Sequence, residues 1–69
     1  MEEQTLKELY TTLDPNGQAN LIRFFGEKLF VAPTTALYYL RGYRSVPKKK
    51  QEALAEYAKK THTVKLIFP

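Results

Sequence analysis

Apolar residues recur at Leu6, Leu9, Tyr10 and Leu13, the i, i+3, i+4, i+7 spacing of a helix with one buried face. The stretch "TLKE" (Thr5 to Glu8) has the form of a capping box, and Glu2 and Glu3 suit the positive end of such a helix. "DPNG" (Asp14 to Gly17) ends it. There Asp14 can cap a second helix and Pro15 suits its first position. That helix is expected to run to about Lys28 or Leu29, with Leu21, Ile22, Phe25 and Leu29 inward and Phe24 extending the face. Gly26 falls inside it at a cost of about 1 kcal/mol relative to alanine, which predicts close approach by another helix.

Pro33 opens a third helix that runs to about Arg41, and Gly42 follows as a left-handed stop. "YRSVP" is a loop, after which Pro47 opens a fourth helix with Leu54, Tyr57, Ala58 and Thr61 on its buried side. After Thr61 the period changes, and Val64, Leu66 and Phe68 alternate with Lys65 and Ile67 as in a short strand. The expected fold is all-α: a single domain over residues 1–69, a bundle of four to five helices with a short extended C-terminal tail.

One stretch, "ALYYLRGYR" (Ala36 to Arg44), does not fit a purely structural role. Ala36, Tyr39 and Leu40 can share a buried face, which turns Leu37, Tyr38 and Arg41 outward. An isolated exposed apolar side chain is ordinary; several on one short basic helix suggest a partner.

Charge sharpens this picture. The net charge is +4, but residues 1–31 hold three basic and five acidic side chains while residues 32–69 hold eight basic and two acidic. Five cations and no anion lie between Arg41 and Lys50, the footprint of a surface for a polyanion. The 69 residues include no cysteine, so disulfides and thiolate metal sites are excluded. His62 is the only histidine and is expected to be exposed where the fourth helix meets the tail. No carboxylate pair, nucleophile–base set or phosphate-cradling glycine loop accompanies it, so neither catalysis nor a cofactor nor a metal is expected. No apolar run approaches the ~20 residues that span a bilayer, and the acidic start "MEEQTLKELY" is unlike a secretory signal. A soluble cytoplasmic protein, associated with the nucleoid, is the expectation.

The short link "LFVAP" forces the second and third helices to cross steeply. "FGEKLFVAPTTALYYLRGYR" resembles the helix-turn-helix of phage repressor and Cro-like proteins. Gly26, Val31, Ala36 and Tyr39 match the positions that lock the two motif helices together, and the likeness covers roughly residues 18–60. The family's turn residue is usually glycine, and here it is Phe30. A bulky residue in a left-handed turn costs on the order of 1 kcal/mol or more, so a different turn is expected, with Phe30 tucked against the core. Ile22 stands where many relatives place a phosphate-binding glutamine, and Gln18 or Asn20 takes over that contact. Ala32 is a poor cap where serine or threonine is common.

The resemblance implies double-stranded DNA as partner, with the third helix (about residues 33–41) in the major groove. Thr34, Leu37, Tyr38 and Arg41 become candidate base contacts, with Pro33 and Thr35 near the groove entrance and Thr35 also within reach of phosphate. Arg41 can pair with a guanine edge or a phosphate. Lys48, Lys49 and Lys50 sit in the first turn of the fourth helix, where positive charge disfavours the isolated helix by about 0.3–1 kcal/mol each. A phosphate reverses that sign, and Arg44 reaches the same strand. The tail, residues 62–69, has two explanations: it folds back over its own helices, or it pairs with the same strand of a second subunit to make a Cro-type homodimer. Neither a membrane nor a small-molecule ligand is expected as partner. The competing reading is a helical protein-interaction module, such as an antitoxin-like partner using its basic face. Structured RNA fits less well, because an A-form major groove does not admit the third helix.

Overall fold

A computed structural model describes residues 2–68. In chain order the elements are β1 (Glu2–Thr5), α1 (Leu6–Thr12), α2 (Pro15–Lys28), α3 (Pro33–Leu40), α4 (Lys48–His62) and β2 (Val64–Ile67). The molecule is mostly helical but not all-α, because β1 and β2 pair as a small parallel sheet. Glu2 and Glu3 therefore lie in a strand opposite Val64 and Lys65, not in the first turn of α1. A strand with no apolar residue has no alternation to betray it. It exists because β2, led out of α4 by Thr63 in the left-handed conformation (φ 55°), brings a ladder partner from the far end of the chain.

The helix boundaries follow the local chemistry. Thr5 Oγ1 accepts from the Glu8 amide at 3.2 Å while Glu8 Oε1 accepts from the Thr5 amide at 2.9 Å, completing the capping box. Asp14 Oδ1 accepts from the Gly17 amide at 2.7 Å, and Pro15 occupies the first turn of α2. Gln18 Nε2 donates to the Tyr10 carbonyl at 2.9 Å, fastening α2 to the end of α1.

The core is formed by Leu9, Leu21, Phe25, Leu40 and Leu54, with fully buried Ala36 and Ala58 allowing α3 and α4 to approach their neighbours. Burying each leucine or phenylalanine stabilises the fold by about 1.5–3 kcal/mol. Val64 and Leu66 turn inward against α4, so the tail completes its own chain's core. The second edge of β2 carries no partner within the described residues.

Several side chains depart from expectation. Thr61 is exposed, so the buried side of α4 is carried by Leu54 and Ala58 with half-buried Tyr57. His62 is half-buried, its ring edge-on to Tyr57 at 5.8 Å and its Nε2 buried without a hydrogen-bond partner among the described residues. Gly26 meets no close helix: a Cβ there would approach the Val31 carbonyl oxygen at 3.8 Å, an ordinary contact.

Candidate nucleic-acid interface

Four residues, Leu29 to Ala32, join α2 to α3. Phe30 takes the left-handed conformation (φ 56°) that its bulk should resist, and its side chain is 89% exposed, not tucked inward. The reason lies one residue on. The Val31 amide donates to the Phe25 carbonyl at 3.0 Å and the Val31 side chain is buried. Reversing the chain quickly enough to place Val31 there needs a positive φ at position 30 and sends the Phe30 ring outward.

Behind α3, Ala36 and Leu40 are fully buried and the Tyr39 ring lies 6.0 Å from Phe25. Its opposite stripe comprises Thr34, Leu37, Tyr38 and Arg41. Thr34 and Arg41 are exposed and Tyr38 is 41% exposed, whereas Leu37 is half-buried and offers only part of its side chain. Pro33 is exposed and Thr35 half-buried in the first turn. No side chain caps α3 at Ala32.

The end of α3 adds a residue that the stripe alone does not reveal. Gly42 (φ 83°) donates its amide to the Tyr39 carbonyl at 3.2 Å, and Tyr43 donates to the Tyr38 carbonyl at 2.8 Å. These are the paired bonds of a Schellman stop, which commonly brings the second residue past the cap against the third-last helical one. Tyr43, 71% exposed, accordingly sets its ring 6.3 Å from Tyr38. The Arg44 guanidinium lies 5.8 Å from the Tyr38 ring centre, within cation–π range. Gly42 was the available signal: once it is read as the left-handed stop, the neighbour of Tyr38 is fixed.

The loop leads into α4, whose first turn contains Lys48, Lys49 and Lys50 and no acidic residue. Lys48 and Lys49 are exposed and Lys50 half-buried. Pro47 supplies no side-chain cap, although its carbonyl accepts from the Lys50 and Gln51 amides at 2.9 and 3.1 Å. Among the described residues the ion pairs are Lys60–Glu56 at 2.8 Å and Lys65–Glu3 at 3.6 Å. Neither involves a cation between Arg41 and Lys50, so that run has no internal counter-charge. On α2, Asn20 is exposed, while Gln18 is half-buried and commits one N–H to Tyr10. No helix among the described residues is long and apolar enough to cross a membrane.

No family model matches the chain, and neither a curated protein nor a solved structure matches it.

Proposed function

We propose that this protein is a sequence-specific double-stranded DNA-binding transcriptional regulator of the phage repressor and Cro-like type. In this reading α2 and α3 form a helix-turn-helix and α3 is the recognition helix. The observation that carries it is the unpaired run of cations from Arg41 to Lys50, continuous in sequence with the outer stripe of α3. A major groove about 12 Å wide accepts a helix. Thr34 hydrogen-bonds a base edge, Leu37 and Tyr38 meet thymine methyl groups, and Arg41 takes a guanine edge or a phosphate. Arg44 and the lysines at the start of α4 hold the backbone, where the helix dipole adds to their charge.

One module this small makes few phosphate contacts, so a two-fold dimer on a palindromic site supplies the affinity. The unpaired edge of β2 is the surface for it.

The test is fluorescence-anisotropy binding to a randomised duplex across a salt series, with the wild type and the Lys48→Glu, Lys49→Glu, Lys50→Glu triple variant. The expected result is weak binding that falls steeply with salt and collapses in the variant. No binding at low salt refutes the reading.

A second reading, a protein-interaction module, draws support from Phe30, an exposed aromatic on the turn and off the α3 stripe. The two differ at Leu37, Tyr38 and Arg41. Substituting them shifts sequence preference if they read bases and leaves DNA affinity unchanged if they bind protein.

A further inference from the structure

A cleft of about 250 Å³ lies between the start of α1, the α3–α4 loop and the end of β2. Its apolar lining comes from Leu6, Val46, Ile67 and Phe68, and its charged lining from Lys7 and Arg44; among the described residues no acidic side chain borders it. We propose that this cleft binds a small amphipathic carboxylate, with the apolar body on the four hydrophobic side chains and the carboxylate between the two cations.

The walls are held in place before any ligand arrives. Gln51 Nε2 donates to the Val46 carbonyl at 2.9 Å and pins the loop. Pairing of Thr5 with Ile67 sets the opposite wall. Leu6 and Val46 are buried, whereas Ile67 remains exposed and Phe68 half-buried, so the cleft keeps apolar surface that the described residues do not cover. The Lys7 stem crosses Gly42, where a Cβ would meet its Cδ at 3.6 Å. Lys7 and Arg44 both line the cleft.

Two cations without an anion select negative charge, and the guanidinium fork matches a carboxylate in two parallel hydrogen bonds. The volume falls just below the ~300 Å³ at which drug-sized sites begin, which restricts the occupant to a short chain or a single ring. Arg44 also faces Tyr38 at 5.8 Å, so an occupant that engages the guanidinium withdraws it from the α3 surface. Release from DNA by such a ligand follows, and this coupling, unlike the site itself, rests on the DNA-binding reading.

Sodium octanoate is the probe, titrated into the full chain without DNA and followed by methyl NMR. Saturable shifts confined to Leu6, Val46 and Ile67 are expected. The Lys7→Glu, Arg44→Glu double variant alters two exposed side chains and should keep its remaining spectrum while losing about ten-fold or more in affinity. Octanol, with the same chain and no charge, should bind more weakly than octanoate. Absence of a saturable shift at millimolar octanoate overturns the proposal, as does equal binding of octanol or of the double variant. Repeating the DNA anisotropy with octanoate present tests the coupling alone. If the duplex never binds, the DNA reading falls and the NMR result still decides the cleft.

Discussion

Phe24 on α2 and Tyr57 on α4 stack with ring centroids 4.4 Å apart and planes inclined by 27°. This contact ties α2 to α4, the helix that carries the lysine run, and the His62 ring also meets Tyr57, edge-on. Substituting either ring by alanine should destabilise the fold by about 2 kcal/mol, with a coupling of about 0.5–1.5 kcal/mol in the double-mutant cycle. Urea unfolding of the four proteins measures both quantities. Additive losses would show that the rings pack independently.

Burial of Tyr57 pushes its hydroxyl pKa above the ordinary 10.0. Its folded pKa is raised, so its contribution to stability is intact below about pH 10 and declines as pH climbs through the raised value. Tyr57→Phe should therefore lose less stability than the wild type between neutral pH and pH 11, as followed by circular dichroism.

Glu8 behaves in the opposite sense. The Thr5 backbone amide and then the Thr5 hydroxyl hold its carboxyl below the usual carboxylate range. Its contribution is present above the ordinary value of 4.5 and is lost as pH falls through the lowered one. Glu8→Gln retains an acceptor without the titration and should flatten this part of the acid limb. Thr5→Ala should lower stability by about 1 kcal/mol at neutral pH.

The fold can be strengthened at two positions, one in the α2–α3 turn and one inside α2. Phe30→Gly relieves a left-handed residue whose exposed ring packs against nothing, and Gly26→Ala adds a methyl group that meets only an ordinary contact. Each should stabilise by about 1 kcal/mol, or about 4–8 °C in Tm for a domain of this size. A lower Tm in Phe30→Gly would reveal a contact made by the ring that the fold does not account for.

Replacing Lys48, Lys49 and Lys50 with glutamate should act with opposite signs on folding and binding. Acidic residues suit the first turn of α4, with a gain of about 0.3–1 kcal/mol per reversed charge at low salt. The same change should abolish DNA binding. A higher Tm together with lost binding would place the lysines there for a ligand and not for the fold.

The helices were legible because their ends are punctuated by chemistry acting within a few residues: Thr5 with Glu8, Asp14 with Pro15, and Pro33 and Gly42 at the two ends of α3. What escaped depended on distant partners or on which of two local demands prevails. β1 is a strand only because Val64 to Ile67 return to it. Phe30 should have refused a positive φ, but burial of Val31 outweighs that preference. For the candidate interface, the spacing correctly turned Tyr38 and Arg41 outward and overstated the exposure of Leu37. Tyr43 was passed over because its position follows from the geometry of the α3 stop and not from any periodicity.

The parallel register of β1 and β2 also determines how the molecule carries tension. Glu2 lies opposite Val64 and Thr5 opposite Ile67, so Glu2 lies at one end of the ladder and Ile67 at the other. A pull applied at Glu2 and at Ile67 draws the strands past each other lengthwise. The cross-strand hydrogen bonds are then loaded together and do not open one after another, so these two four-residue strands act as a shear clamp across the helices between them.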